Sequence, residues 1–258
     1  METGCSLYHE VVKEAKHLGA DLVKIAAADR WEQYPVTEKE FWPQRIWPWC
    51  TKVIVMAVPL PIPIIETTPS AIYAELYNTT NRLLDNMAYQ LTAYLMQKGY
   101  RAILFPRDCY GDISVLVNNP AAAFSHVLAG YYGGMGTFGY SHNLLTKEYG
   151  PRVRLVSVLT DAPIPADPML EEELCIECGL CERKCPNQCF TKVPGQKQAA
   201  MDRVRCAQYH EQLKKEYHFP CGICATVCPV GADRKAYKTV RAVSKEGIQT
   251  CQKYGSQT

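Results

Sequence analysis

The sequence predicts an α/β (α+β) core followed by a cysteine-rich C-terminal module. Two observations support this prediction. The first 160 residues alternate between helical and strand-like patterns of apolar residues. Most of the 13 cysteines in the 258-residue chain fall between positions 175 and 228. We therefore expect an α/β core over 1–165, a metal-binding module over 166–232 and a C-terminal tail over 233–258.

Composition and charge exclude some classes of function. Hydrophobic residues make up 47% of the chain and charged residues 21%, which is typical of globular proteins. A net charge of +2 gives no reason to expect nucleic-acid binding by bulk electrostatics. The polar start does not resemble a signal peptide, and the apolar run over 53–65 is too short to span a bilayer. We expect a cytoplasmic protein with no membrane segment.

In the first half of the core, the sequence pattern predicts helices and strands in alternation. A long helix is indicated by an apolar stripe at helical spacing, and Gly99 ends it. The stripe is formed by Leu84, Met87, Leu91 and Leu95. In chain order we expect a helix over 8–19, a strand over 21–28, an ordered aromatic loop over 30–50, a strand over 52–58, the long helix over 70–98 and a strand over 101–105.

The second half of the core begins with a predicted helix cap. Asn119 and Pro120 have the residue types of an N-cap and a first helical position, so we expect a helix from there to about position 132. A strand follows over 152–160. The segment 161–168 contains three prolines and is predicted to be a linker.

A glycine loop lies between that helix and the last strand. Gly134, Gly136 and Gly139 match the G-x-G-x-x-G pattern of dinucleotide-binding turns. Such a turn follows a strand, opens a long helix and has an acidic residue about 20 positions later. Here a helix precedes the loop and only a short segment follows it. The context argues against NAD or FAD, and a glycine-rich turn between core elements is the alternative.

The cysteine-rich module opens with a strong iron–sulfur signal. Cys175, Cys178, Cys181 and Cys185 follow the C-x2-C-x2-C-x3-C-P spacing of bacterial ferredoxins. Three thiolates at two-residue gaps can hold one cluster, and the fourth turns toward a second cluster. A four-cysteine zinc site is the alternative, but zinc motifs rarely have this run with its trailing proline.

A second cysteine group completes two ligand sets. Cys221, Cys224 and Cys228 lack one upstream cysteine, and Cys206 can supply it. With the fourth ligands crossed, the first cluster takes Cys175, Cys178, Cys181 and Cys228, and the second takes Cys206, Cys221, Cys224 and Cys185. Cys189 is interpreted as a small buried hydrophobe. The scattered cysteines are interpreted as structural: Cys5, Cys50, Cys109 and Cys251.

The glycine loop and the ferredoxin run together resemble the cobalamin-dependent iron–sulfur reductases. This superfamily contains the epoxyqueuosine reductases and the reductive dehalogenases. The glycines, with Asn143 and Leu144-Leu145, match the epoxyqueuosine reductase loop, and 148–154 reproduces the E-Y-G-P-R-V-R segment of dehalogenases. The split second cysteine group also belongs to this superfamily. The resemblance covers most of residues 15–230.

The resemblance implies a nitroreductase-like core that holds cobalamin base-off beside two [4Fe–4S] clusters. An electron donor such as a ferredoxin or flavodoxin is implied as a partner. The glycine loop would lie against the corrin, where side chains would obstruct it. The implied cofactor-binding residues are Gly134, Gly136, Gly139, Ser141, His142, Asn143 and Arg152. Arg154 is expected on the same strand face as Arg152.

Tyr140 and His126 are the candidate proton donors. A tyrosine serves this role in dehalogenases, and Tyr140 directly follows the last glycine. The alternatives are a packed tyrosine with a satisfied hydroxyl and a structural histidine. Epoxyqueuosine reductases have an aspartate about fifteen residues before the loop. This chain has Asn118 and Asn119 there, which weakens a role on tRNA.

Three functions remain open from the sequence. The first is a cobalamin-dependent reductase that cleaves a carbon–heteroatom bond or opens an epoxide in a small-molecule substrate. The second is an epoxyqueuosine reductase acting on tRNA. The third is a non-catalytic electron carrier or corrinoid-handling protein. The substrate, the electron donor and the oligomeric state do not follow from the sequence.

Overall fold

The computed structural model describes residues 2–108 and 110–237. Cys109, Cys251 and most of the predicted C-terminal tail lie outside the described residues. The helices are α1 (Glu2–His17), α2 (Arg30–Gln33), α3 (Pro43–Ile46), α4 (Ile62–Ile65), α5 (Ala71–Gln97), α6 (Ile113–Asn118), α7 (His126–Tyr132), α8 (Leu180–Arg183), α9 (Arg203–Lys215), α10 (Ile223–Thr226) and α11 (Ala232–Ala236), with a 3-10 helix at Lys39–Phe41. The strands are β1 (Leu22–Ala27), β2 (Lys52–Pro59), β3 (Ala102–Phe105), β4 (Thr137–Phe138), β5 (Leu144–Leu145), β6 (Val153–Thr160), β7 (Phe190–Thr191) and β8 (Ala200–Met201).

A four-stranded antiparallel sheet forms the centre of the core, in the order β1-β2-β6-β3. The central strands β2 and β6 pair over their full lengths, with Met56 opposite Val156. Every residue of β2 from Val53 to Val58 is buried. A strand buried on both faces has a continuous apolar sequence, and this is the pattern that predicted it. The four predicted core strands and the mixed α/β character are confirmed.

Helices α1 and α5 cover one face of the sheet. The predicted apolar stripe of α5 is fully buried against this face: Leu84, Met87, Leu91 and Leu95. The helix begins after Ser70, whose hydroxyl accepts a hydrogen bond from the peptide N–H of Tyr73. Neither α5 nor any other described helix has the length and hydropathy of a membrane span.

An aromatic cluster covers the other face. Trp31 lies edge-on to Tyr132 at 4.6 Å between ring centroids, and Phe105 stacks on Phe124 at 4.7 Å. Both pairs pack on the β2 residues that point away from α5. Trp31 and Trp42 are buried, which confirms that the aromatic segment over 30–50 packs on the core.

The predicted helix after Asn119 is wrong at its start. The helix α7 begins at His126, because the Ser125 hydroxyl accepts a hydrogen bond from the peptide N–H of Leu128 and caps it. Asn119 instead follows the end of α6, a short helix that the sequence did not predict. The Asp112 carboxylate caps α6 through the Ser114 peptide N–H.

The predicted linker contains no helix or strand, but it is packed against the core. Ala162 and Ile164 are buried. The buried Asp167 carboxylate accepts hydrogen bonds from the Ile25 peptide N–H at 2.8 Å and from the Tyr8 hydroxyl at 2.9 Å. Asp167 therefore fixes the connection between the two parts of the chain to β1.

The cysteine-rich part is docked on the core by polar contacts. Lys214 of α9 forms an ion pair with Asp112 at the start of α6, and Arg234 forms one with Glu66. The Gly222 peptide N–H donates to the Thr68 hydroxyl at 3.0 Å. These contacts place the second cysteine group beside the N-terminal end of α5.

Candidate functional site

A cysteine-lined cavity lies where the glycine loop meets the cysteine-rich part. It encloses about 360 Å³, part of it open to solvent, and Gly139, Tyr140 and Ser141 form one wall. The cysteines lining it are Cys175, Cys178, Cys181, Cys224 and Cys228. All cysteines in the described residues are free thiols. The structure thus places the whole predicted first ligand set around one cavity.

The loop of the first group bends through two left-handed residues. Glu177 has φ +50° and Gly179 has φ +68°. Glu177 lies between Cys175 and Cys178, and Gly179 lies between Cys178 and Cys181. With these two turns, all three cysteines line the cavity. Cys228 interacts electrostatically with Cys175 and Cys178, although it lies far along the chain. Cys228, which comes from the second cysteine group, therefore lies near the first three thiols, as the crossed ligand assignment expects.

A second group of thiols forms beside the first. Cys206 on α9 interacts electrostatically with Cys185, Cys221 and Cys224. Burial raises the pKa of the Cys221 thiol to about 12 and raises the pKa values of Cys206 and Cys224. Cluster binding requires thiolates, so these thiols would release protons when a cluster binds.

The donor set suits clusters better than a single ion. Within the described ranges, no group of three or more His, Cys, Asp or Glu side chains converges closely enough for one metal ion. A four-iron cluster is larger than an ion, and its ligands surround a cavity rather than a point. Eight free thiols in two neighbouring groups match two such clusters in number and in chemistry.

Arg152 is bonded within the chain. Its side chain is fully buried, and its guanidinium binds both carboxylate oxygens of Asp233 at 2.8 and 2.7 Å. It also donates to the carbonyls of Cys228 at 2.9 Å and Val230 at 2.6 Å. These donors hold the segment that contains Cys228. The Arg152 charge also lowers the pKa of the Cys228 thiol, although burial, which raises it, dominates.

The glycine loop is tight because the chain packs on itself. A Cβ at Gly134 would lie 1.9 Å from the Pro168 carbonyl oxygen, and one at Gly136 would lie 1.9 Å from the Leu145 carbonyl oxygen. A Cβ at Gly139 would lie 3.1 Å from the Leu145 side chain. At Gly134 and Gly136 the close approach that requires glycine is therefore made by the chain's own backbone.

The polar residues after the loop are bonded within the chain. The Asn143 amide donates to the Ser141 hydroxyl at 2.9 Å and to the Cys224 sulfur at 3.4 Å. His142 has φ +63°, and its Nε2 donates to the Ala199 carbonyl at 2.7 Å. Asn143 thus lies close to the second thiol group, where an N–H donor supports a cluster ligand.

Tyr140 lies in the cavity wall. Its peptide N–H donates to the Cys175 sulfur at 3.4 Å, and its hydroxyl donates to the Glu182 carboxylate at 2.8 Å. Burial and Glu182 together raise the pKa of Tyr140 to about 12. The hydroxyl therefore has a protein partner inside the cysteine-rich part of the chain.

His126 lies elsewhere, under the sheet. Its Nε2 is 2.9 Å from the Pro106 carbonyl, which only accepts, so Nε2 carries the proton. Its Nδ1 therefore accepts from the Ser157 hydroxyl at 2.9 Å. Burial lowers the pKa of His126 to about 4, so the ring is neutral near pH 7. The structure does not bring His126 and Tyr140 together.

A polar group that the sequence reasoning missed lies beside His126. The Arg154 guanidinium donates to Asn81 at 2.8 Å and to Asp108 at 3.2 Å, and its carbon lies 4.3 Å from the Tyr77 ring centroid. The Tyr77 hydroxyl donates to the other Asp108 oxygen at 2.8 Å. We call these four residues the Arg154 group. The available signal was the polar pair Tyr77 and Asn81, four residues apart within the apolar stripe of α5.

Tyr73 connects the Arg154 group with the second thiol group. A Cβ at Gly222 would lie 2.9 Å from the Tyr73 ring, so the loop between Cys221 and Cys224 packs on this ring. Burial raises the pKa of Tyr73, Arg154 lowers it, and Cys224 and Cys221 raise it further. One buried aromatic ring thus separates candidate cluster ligands from a charged, hydrogen-bonded group.

Comparison with known proteins identifies the cysteine-rich part. Residues 174–232 match the protein family described as the 4Fe-4S dicluster domain. This range contains all eight predicted cluster ligands. The chain therefore has an iron–sulfur domain of the 4Fe-4S type at the position that the cysteine spacing predicted.

Two curated relatives match larger parts of the chain. An epoxyqueuosine reductase from Leadbetterella byssophila is 23% identical over 269 residues, covering 94% of this chain and 86% of that protein. A tetrachloroethene reductive dehalogenase from Sulfurospirillum multivorans is 30% identical over 111 residues, covering 37% of this chain. The aligned part is only 21% of that dehalogenase.

The fold has solved counterparts. A reductive dehalogenase whose structure is described in connection with B12-dependent dehalogenation superposes with a TM-score of 0.65 at 21% identity. The superposition covers 94% of this chain and 33% of that chain. Together these comparisons show that the homologues of this chain are the reductive dehalogenases and the epoxyqueuosine reductases.

Proposed function

We propose that this protein is an oxidoreductase in which two [4Fe–4S] clusters feed electrons to cobalamin for reductive cleavage of a carbon–heteroatom bond. The observation that supports it most is the arrangement of eight free thiols in two adjoining groups within a 4Fe-4S domain. The relatives, all named as reductases or dehalogenases, support the reaction class. A nitroreductase-like core for 1–165 is part of the same proposal.

The cluster ligands follow from the two thiol groups. Cys175, Cys178, Cys181 and Cys228 would hold the first cluster, and Cys206, Cys221, Cys224 and Cys185 the second. Clusters of this kind supply single electrons at potentials from about −700 to +450 mV. Cys181 and Cys224 interact across the two groups, so the two clusters would lie side by side.

Cobalamin enters the proposal through the relatives. The residues implied for the corrin do not form a cradle in the described contacts, because the chain's own atoms fill the space beside Gly134 and Gly136 and accept the hydrogen bonds of Arg152. Gly139 and Ser141 line the cysteine cavity and remain predicted contacts.

Reduction of a carbon–heteroatom bond also consumes a proton, and the Arg154 group can hold one. The Tyr77 O–H points at a carboxylate. Burial raises the pKa of Tyr77, and the Arg154 charge opposes this by stabilising the phenolate that proton loss would leave. Tyr77 itself is buried, but the Asp108 carboxylate that accepts its hydrogen bond is 17% exposed, so protons would reach the group through Asp108. Tyr140 and His126 remain the other candidates from the sequence.

The experiment that tests the proposal is anaerobic purification followed by metal and corrinoid analysis. We expect about eight irons per chain. We also expect corrinoid absorbance bands that remain with the protein after reconstitution with hydroxocobalamin and gel filtration. Iron at that level without corrinoid retention would overturn the reductase proposal and favour an electron carrier.

Epoxyqueuosine reduction in tRNA is the second candidate, favoured by one observation. The chain covers 86% of an epoxyqueuosine reductase but only a fifth to a third of the dehalogenases that it matches. An epoxyqueuosine-bearing tRNA stem-loop and tetrachloroethene are therefore the two substrates to test in parallel. Conversion of the stem-loop would establish this candidate, and conversion of the chlorinated ethene would establish the first.

The proton donor is tested by removing single hydroxyl groups. Tyr77→Phe keeps the ring that packs beside Arg154 and removes the O–H that faces Asp108. We expect it to slow turnover at least about tenfold, as general acid catalysis contributes factors of 10²–10⁴. Tyr140→Phe is the matched control, and a larger loss in that variant would assign the role to Tyr140.

A further inference from the structure

A ninth thiol lies beside the second cluster site. Cys189 is 3% exposed, which agrees with the expected buried hydrophobe, but its surroundings are not those of a hydrophobe. Its peptide N–H donates to the Cys185 sulfur, and its thiol interacts electrostatically with the thiols of Cys185 and Cys206. Cys185 and Cys206 are proposed ligands of the second cluster, and Cys189 is not a member of either ligand set.

The backbone holds Cys189 in this place. Gln188 has φ +48°, a left-handed turn that folds the chain back so that the Cys189 peptide N–H donates to the Cys185 sulfur at 3.3 Å. The Cys189 carbonyl accepts from the Asp202 peptide N–H at 2.9 Å. Asp202 is the N-cap of α9, and Cys206 lies one turn later on that helix.

The contacts give Cys189 access to iron chemistry without refolding. Its residue adjoins the Cys185 sulfur, and the hydrogen bond that its own thiol donates is a long one, 3.6 Å to the Asn187 carbonyl. A rotation about its Cα–Cβ bond costs little compared with moving a strand or helix. A thiolate at this position has the same chemistry as the four assigned ligands.

We propose that Cys189 is a reserve ligand of the second [4Fe–4S] cluster. When the Cys185 thiolate is absent, the Cys189 sulfur forms the Fe–S bond that Cys185 would have made, and its thiol proton goes to solvent. The iron exchanges one thiolate for another and the cluster keeps four thiolate ligands, so no electron is gained or lost. This proposal rests on the proposed function, since it assumes that the second thiol group binds a cluster.

The test compares Cys185→Ala, Cys189→Ala and the double variant, all purified anaerobically. Iron and sulfide per chain are measured, and EPR spectra are recorded after dithionite reduction. We expect both single variants to retain about eight irons, as in the wild type. We expect the double variant to lose at least one iron and the EPR signal of the second cluster. In Cys185→Ala the second signal should be shifted, because a different thiolate binds.

Cys178→Ala is the matched control. The Cys178 thiol is exposed, and it interacts electrostatically with Cys228, another member of the first ligand set. It should lose iron as a single variant, because no spare thiol of residues 2–108 and 110–237 is recorded in contact with it. If Cys185→Ala contains no more iron than the double variant, the proposal is overturned. Loss of the second cluster in Cys189→Ala would also overturn it. A wild-type protein without iron would instead refute the proposed function.

Discussion

His126 shows how the fold controls the charge of a single residue. Its ring is buried, and a carbonyl and a hydroxyl occupy its two nitrogens. Burial lowers its pKa, Arg154 lowers it further, and the Pro106 carbonyl and Asp108 act in the opposite direction. Protonation in the folded state would place a positive charge beside Arg154, so the unfolded chain binds this proton more readily.

The first prediction concerns pH. The pKa of His126 is about 4 in the folded state and 6.5 as its ordinary value, so its stabilising contribution is full above pH 6.5. It is lost as the pH falls toward 4, and its upper limit is about 3 kcal/mol. We expect the free energy of unfolding of His126→Gln, measured in urea from pH 7.5 to 4, to vary less with pH than that of the wild type.

The exposed His17→Gln variant is the control for this measurement. It should retain the wild-type slope of unfolding free energy against pH. Burial also lowers the pKa of His210 to about 4, so some slope should remain in His126→Gln. Equal slopes in the wild type and His126→Gln would show that His126 is not the group responsible.

Arg152 supports the second prediction. Removal of one partner from a buried, hydrogen-bonded ion pair costs about 3–5 kcal/mol. We expect Arg152→Met to lower the free energy of unfolding by that amount, because Asp233 and two carbonyls lose their donor. Chemical unfolding under anaerobic conditions measures it. Arg101→Met, which breaks an ion pair with Asp161 at an arginine that is 63% exposed, should cost less than about 1 kcal/mol.

At the scale of elements, the hairpin of β4 and β5 explains the glycine loop. The short strands pair Thr137 with Leu145 and Phe138 with Leu144, and the glycines before and within the hairpin let β5 approach. The Gly136 position faces a backbone carbonyl, which cannot move without breaking the pairing. The Gly139 position faces a leucine side chain, which can change rotamer.

The third prediction compares these two glycines. Gly136→Ala should lower the free energy of unfolding by more than about 3 kcal/mol or prevent accumulation of folded protein, because its Cβ would overlap the Leu145 carbonyl. Gly139→Ala should cost about 1 kcal/mol. Thermal and urea unfolding of both variants measure the difference. Similar costs at the two positions would mean that the loop relaxes as a unit.

The sequence predicted elements whose determinants are local, and it missed contacts made over long distances in the chain. The apolar stripe of α5 and the run of β2 define their own secondary structure. The partner of Arg152 is 81 residues away, and the Arg154 group joins three separate segments. No periodicity connects such positions. The cysteine spacing was informative because one short segment contains most of a ligand set.

The whole molecule combines a large apolar core with a module that has little core of its own. Two extended clusters of buried residues flank the sheet. Within 174–232 the buried apolar side chains are only Cys189, Phe190, Ala199, Ala207, Leu213 and Pro220. Such a small core rarely stabilises a domain without metals or disulfides. Contacts with the sheet domain, together with the proposed clusters, would therefore provide the remaining stability.

The last prediction follows from this imbalance. Metal binding contributes directly to folding free energy when the ligands belong to a weakly packed segment. We expect removal of the clusters by oxidative chelation to accelerate amide hydrogen exchange across 174–232. The strands 52–59 and 153–160 should keep their protection, because they are paired and buried independently of the thiols. Hydrogen-exchange mass spectrometry of the iron-loaded and iron-free protein, with a mock-treated anaerobic control, measures both regions in one experiment. Unchanged exchange in 174–232 would mean that the docking contacts of Arg152, Lys214 and Arg234 hold the module folded without its clusters.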